Sequence, residues 1–209
     1  LLLAWFDVHG RRFPWRRARN SAYRIAVAEA LLQKTNVEKA LPVFSQLIRK
    51  YPTVRDLAKA DLSELATLLK PLGLPRRAVL LHQLGVTVQA KYGGKFPRDE
   101  KQLRELPGVG PYGAGAIASQ AFGQRAAMID INVIRIFHRV FGTPFTPRSG
   151  PSKEVRQLAR DLMPLGKEAE FNLALIDFGA LVCRSKNPAH EKCPFSDFCQ
   201  FYLSNRPAT

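Results

Sequence analysis

Apolar residues recur along most of the chain at the three- and four-residue spacing of a helix, and alternating strand-like runs are scarce. The pattern predicts helices over residues 2–8, 22–34, 37–51, 62–69, 76–92, 99–106, 113–122, 131–141, 153–163 and 168–182. Pro52, Pro71, Pro75, Pro97, Pro107, Pro144 and Pro164 fall between these segments, where a residue without a backbone N–H belongs. Ser21, Asp61 and Ser152 stand at predicted starts as side-chain caps. From residue 184 onward the chain reads as loop. There are no internal repeats and no low-complexity segments, so the expected class is all-α.

Composition sharpens this picture. At 209 residues the chain can bury a core without disulfide staples. Its 32 Lys and Arg against 17 Asp and Glu leave a net charge of +15, while 46% of residues are hydrophobic. That balance excludes a disordered basic tail. It points to a folded domain with a polyanionic partner, most simply nucleic acid. No apolar run approaches the roughly 18 residues of a membrane span, so no membrane partner is expected. The chain opens on Leu1 with no signal-like segment behind it, which reads as a chain trimmed at its start and kept in the cytoplasm, nucleoid-associated in a prokaryote.

The most informative stretch is Leu106-Pro107-Gly108-Val109-Gly110-Pro111-Tyr112-Gly113, between two predicted helices. Gly108 and Gly110 can take positive φ and let backbone approach a ligand closely. The amides of the following helix point the same way, so the turn suits a phosphodiester. Val109 is expected to plug the turn into the core. The alternative is an ordinary tight turn between helices.

Three acids sit in apolar company. Glu29 lies in Ile25-Ala26-Val27-Ala28-Glu29-Ala30-Leu31-Leu32, Asp130 follows Met128-Ile129, and Asp177 follows Leu175-Ile176. A carboxylate buried in such a run should have a raised pKa and is a candidate general acid or base. Each has a plainer reading: a buried ion pair for Glu29, a helix cap for Asp130, a satisfied core acid for Asp177. Gln33 lies four residues after Glu29 and shares its face.

Cys183, Cys193 and Cys199 form an odd set without a secretory signal, so a disulfide framework is not expected. With His190 they run Cys-x6-His-x2-Cys-x5-Cys. Such a set suits tetrahedral zinc, and imidazole also replaces thiolate at iron in some centres.

The hairpin run, with Phe13-Pro14-Trp15-Arg16 and the last cysteines, resembles the helix-hairpin-helix glycosylase superfamily of endonuclease III and MutY over nearly the whole chain. Pro111 and Gly113 depart from its usual basic residue and threonine, and Pro111 forfeits one phosphate contact. The resemblance implies a two-lobed fold: a helical barrel over residues 14–124, and an iron–sulfur lobe of residues 1–13 and 125–209. It implies a cleft between the lobes holding Glu29, Tyr112 and Asp130.

Asp130 matches the superfamily's catalytic aspartate. Glu29, in Glu-Ala-Leu-Leu-Gln-Lys-Thr, matches the catalytic glutamate of MutY and of the thymine-DNA mismatch glycosylases. Asp177 matches no catalytic position. Bifunctional relatives carry a Schiff-base lysine where this chain has Tyr112, MutY a serine, and the thymine mismatch glycosylases a tyrosine. Gln33 matches a residue that enters the space left by the flipped base. Leu74-Pro75-Arg76-Arg77 matches a second wedge loop, with Arg76 a DNA contact and Arg76-Arg77 otherwise a solvated helix start. The family's [4Fe-4S] loop has the spacing of Cys183, His190, Cys193 and Cys199 with cysteine at all four places. His190 is thus a natural fourth ligand, or a replacement that leaves an incomplete cluster; zinc is the other alternative.

The expected function is a monomeric, monofunctional DNA glycosylase acting on duplex DNA with a mismatched or damaged base, thymine or uracil opposite guanine first. A MutY-like adenine glycosylase is the alternative within the class; Tyr112 stands against it, as does the missing C-terminal domain, which truncation would also produce. A non-catalytic hairpin DNA-binding protein accounts for charge and hairpin but leaves Glu29 and Asp130 unexplained.

Overall fold

The structure is a computed structural model that describes residues 1–16, 21–73, 75–145 and 149–205. It is all-helical, with no strand among the described residues. The helices are α1 (Leu2–His9), α2 (Ala22–Leu32), α3 (Val37–Lys50), α4 (Val54–Ala58), α5 (Leu62–Leu69), α6 (Arg76–Tyr92), α7 (Glu100–Arg104), α8 (Pro111–Phe122), α9 (Ile131–Phe141), α10 (Lys153–Asp161), α11 (Glu168–Leu181) and α12 (Gln200–Ser204). Short 3-10 turns cover Pro14–Arg16, Lys70–Leu72 and His190–Lys192. No helix among the described residues is long and apolar enough to cross a membrane.

The chain divides into two compact units, Phe13–Phe122 and Leu1–Arg12 with Gly123–Thr209. In the first, α2 is the central element. Ala22, Tyr23, Ile25, Ala26, Val27, Ala28 and Leu31 are all buried, so apolar residues wrap the helix instead of lining one stripe. It packs on α3, α6 and α8. Apart from Ile117, the buried residues of α8 are small (Ala114, Gly115, Ala116, Ala118, Ser119), which lets the backbones of the two helices come close. In the other unit, α11 packs on α1 and α9, and α12 on α9. Trp5, Phe137, Phe171 and Phe178 centre that core, with Trp5 edge-on to Phe178 at 5.4 Å.

The predicted caps form. Ser21 Oγ accepts from the Arg24 amide, Asp61 from the Ser63 and Glu64 amides, and Ser152 from the Val155 amide. Two helices were not expected. A capping box starts α4: the Asp56 amide donates to Thr53 Oγ1 while Asp56 accepts from the Thr53 amide. Helix α12 ends a segment read as loop. Helix α8 starts at Pro111, two residues early; proline at a first helical position gives up an N–H that has no intrahelical partner anyway.

Candidate active site

In the first unit, the end of α2, the start of α6 and the 106–112 turn meet around one small cavity. Gln33, Arg77, Leu80, Pro107, Gly108 and Val109 line it with Ala26, Ala30, Leu81 and Leu84. Gly108 has φ +76, a conformation that favours glycine. Gly110 does not, contrary to expectation, and a Cβ there would meet nothing within 4 Å. The fold leaves that side of the turn open. Nor does Val109 plug into the core: it is half-buried at the cavity wall, its amide donating to the Leu106 carbonyl at 3.0 Å. Gln33 Nε2 donates to the Gly108 carbonyl at 3.2 Å, tying α2 to the turn.

Glu29 and Tyr112 are both half-buried, Glu29 one turn before Gln33 and Tyr112 second in α8. The expectation of a fully buried Glu29 fails because α2 reaches the surface at Glu29 and Ala30. Arg76 opens α6 and is exposed; Leu74 lies outside the described residues. Arg77 is not part of a solvated helix start: it is 4% exposed, with Nη2 donating to the Gln33 carbonyl at 2.6 Å and to Thr35 Oγ1 at 3.0 Å.

In the other unit Asp130 caps α9. Its Oδ1 accepts from the Asn132 and Val133 amides at 2.8 and 2.9 Å, and its Oδ2 from Asn132 Nδ2 at 2.6 Å. Asp130 is half-buried rather than sealed in the core. The amides fix the carboxylate at the positive end of the helix dipole. Asn132 Oδ1 accepts from Arg135 Nη2 at 2.9 Å. Arg135 also donates to the carbonyls of Gly179 (2.9 Å) and Cys183 (3.0 Å). Gly179 is spatially required: a Cβ there would stand 2.8 Å from Asn132 Cβ. Asp177 is fully buried and is met by the Arg11 amide at 2.7 Å and the Arg11 guanidinium at 2.7 and 2.8 Å. It is a paired core acid that holds the chain following α1 against α11.

Cys183, His190, Cys193 and Cys199 line one cavity with Arg139, Phe178 and Phe201. Arg139 braces its wall: its guanidinium donates to the carbonyls of Arg184 and Ser185, lies 3.6 Å from Cys183 Sγ and stacks on Phe201 at 4.8 Å. Cys199 Sγ donates to the Arg139 carbonyl at 3.3 Å. Burial pushes the Cys193 thiol up; the Phe195 backbone partly offsets this, and Cys199 and Cys183 add to it. The His190 ring stacks on Tyr202 at 4.6 Å. Among the described residues no three His, Cys, Asp or Glu side chains converge as the ligands of one ion would. Arg184 folds back onto the Asn187 carbonyl; Lys192 is exposed.

Sequence reasoning missed Arg77, Asn132, Arg135 and Arg139. For Arg135 and Arg139 a signal existed: two cations stand four apart in α9, a helix whose other residues are apolar except Asn132 and His138.

Residues 27–164 match a family described as "HhH-GPD superfamily base excision DNA repair protein". The chain is 37% identical over 202 residues to a thymine/uracil-DNA glycosylase of Methanothermobacter thermautotrophicus, covering 96% of this chain and 91% of that protein. It is 36% identical over 208 residues to the adenine DNA glycosylase of Homo sapiens, covering 95% of this chain and 38% of that one. A solved structure of a thermostable thymine-DNA glycosylase superposes with a TM-score of 0.91 at 36% identity, covering 97% of this chain and 94% of that one. With its two helical units, its hairpin at 106–112 and a family match across most of its length, the chain belongs to the HhH-GPD superfamily of base excision DNA repair proteins.

Proposed function

We propose that the protein is a monofunctional DNA glycosylase that releases thymine or uracil mispaired with guanine. The observation that carries the reading is the end-to-end likeness to thymine/uracil-DNA glycosylases, together with a tyrosine, not an amine, at position 112 behind the hairpin. Breaking the N-glycosidic bond builds positive charge on the sugar. The Asp130 carboxylate, held by amides, opposes that charge. Glu29 orders or activates the water and protonates the leaving base. The target base must first leave the stack, since its glycosidic bond is inaccessible in a duplex. Gln33, Gly108, Val109, Gly110 and Arg76 contact the DNA, and the +15 charge supplies the sequence-independent attraction.

The cavity of Cys183, His190, Cys193 and Cys199 fits an iron–sulfur cluster with three thiolates and one imidazole. Tetrahedral zinc, the alternative, would draw four ligands to about 2.0–2.3 Å. A cationic neighbour, Arg139, lies 3.6 Å from Cys183 Sγ. The group would brace the loop against α9, and no step of base release runs through it. The protein is taken to act as a monomer, in the compartment that holds the DNA.

Identity to the human adenine glycosylase is nearly as high, so adenine release is the second reading. One panel decides: duplexes carrying G·T, G·U, A·G, A·8-oxoguanine and oxidised pyrimidines. Release from G·T or G·U is expected. Release confined to A·8-oxoguanine establishes the second reading, and release from none refutes glycosylase activity.

A further inference from the structure

Arg77 is a buried cation with no counter-charge among the described residues. At 4% exposure it places Nη2 on the Gln33 carbonyl and Thr35 Oγ1, while Nε and Nη1 are buried with no hydrogen-bond partner among the described residues. Burial also pushes its pKa down. An apolar side chain of similar length would fill the same space without that desolvation cost. Holding the fold therefore does not account for an arginine here.

Its position does. The Gln33 carbonyl lies at the C-terminal, negative end of α2, where a cation is favoured. Thr35 Oγ1 donates to the same carbonyl at 3.2 Å. Arg77 thus clamps the Gln33–Thr35 turn from below, while the Gln33 side chain reaches the Gly108 carbonyl. The start of α6, the end of α2 and the hairpin are linked through one residue, Gln33. The cavity that these groups line leaves nothing else polar to hold them in register: its remaining walls are alanine, leucine, proline and valine.

We propose that Arg77 is a positioning residue that sets the Gln33 side chain against the hairpin and so presents Gln33 and the Gly108–Gly110 backbone to DNA as one preformed surface. Its consequence for base release rests on the glycosylase reading; its consequence for the hairpin does not.

The test compares Arg77→Met, Arg77→Lys, Gln33→Ala and the Arg77→Met/Gln33→Ala double variant in the full chain. Four readouts are used: thermal midpoint, hydrogen exchange of the Val109 and Ala114 amides, duplex Kd, and single-turnover base release from the best duplex of the panel. Arg77→Met should melt within a few degrees of the wild type or above it, yet exchange the hairpin amides at least tenfold faster and release base at least tenfold more slowly. Arg77→Lys, which can still donate to the Gln33 carbonyl, should recover part of both. The double variant should be no slower than the slower single variant, because Arg77 acts through Gln33.

Unchanged hairpin exchange in Arg77→Met overturns the proposal. So do additive losses in the double variant, and so does a fall in melting temperature with exchange raised evenly over α2, α6 and α8, which would mark an ordinary structural residue. If the wild type releases no base at all, the glycosylase reading fails while hairpin exchange and duplex Kd still decide the role of Arg77.

Discussion

Asn132 holds Asp130 by two separate groups: its backbone amide donates to Oδ1 at 2.8 Å and its side-chain amide to Oδ2 at 2.6 Å. Both carboxylate oxygens are engaged, so the plane of the group is fixed as well as its position. Asn132 is itself held by Arg135, which reaches the carbonyls of Gly179 and Cys183. The proposed charge-stabilising acid and the backbone carbonyl of the first cysteine of the loop therefore belong to one hydrogen-bonded chain.

Asp130 has two roles that mutation can separate. Asp130→Asn keeps a good capping residue but removes the charge. Its base-release rate should fall roughly 10²–10³-fold, with duplex affinity kept and the melting point little changed. Asp130→Ala should add a stability loss of about 1 kcal/mol from the missing cap. Near-normal single-turnover kinetics for Asp130→Asn would remove this residue from the mechanism.

Glu29 and Asp177 should behave in opposite ways. Glu29→Gln should bind duplex DNA and fold normally while losing roughly 10²–10⁴ in rate. Asp177→Ala strands Arg11 beside a buried hole and should cost about 3 kcal/mol, the low end for breaking a buried pair because Arg11 is partly exposed. Denaturation curves and single-turnover rates on the same preparations check both. A stable, inactive Asp177 variant beside an active Glu29→Gln would mean the wrong acid was chosen.

Tyr112 has no amine to form a Schiff base, so the product should be an intact abasic site, cut only after hot alkali. Gel analysis with and without alkali measures this. A borohydride-trapped covalent complex would overturn it.

Purified protein should contain about four irons and matching sulfide per chain, as a [4Fe-4S] cluster requires. Imidazole in place of thiolate removes negative charge, so the cluster's reduction potential should drop in His190→Cys. Cluster retention should hold or improve in that variant and weaken in His190→Ala. Stoichiometric zinc without sulfide would refute the iron assignment.

The sequence carried the helices best where periodicity and punctuation agreed. The expected bounds of α5, α6 and α9 coincide with those observed, each closed by a clear turn residue or proline. Helix α4 escaped because five residues are too few for a helical period to register, although its Thr53-x-x-Asp56 box was visible. Glu29 and Asp130 were readable as acids in apolar runs. How deeply they lie was not, because that depends on which side of α2 and α9 other helices cover. Arg77 was the hardest: Arg76-Arg77 after a proline reads alike whether one or both turn outward. Only the arrival of the Gln33 carbonyl, 44 residues away along the chain, draws Arg77 inward.

Gly179 makes one position of α11 intolerant for a reason unconnected with its own chemistry. A methyl group there would collide with Asn132 Cβ and crowd Ile136 and Arg135. The strain would fall on the residue that orients Asp130, and on the carbonyl that Arg135 grips. A sequence change far from Asp130 along the chain, in a helix given no part in the proposed chemistry, would thus behave in a genetic screen like damage to the proposed charge-stabilising carboxylate. Residue 179 marks a blind spot for any variant interpretation that ranks positions by their distance in sequence from the chemistry.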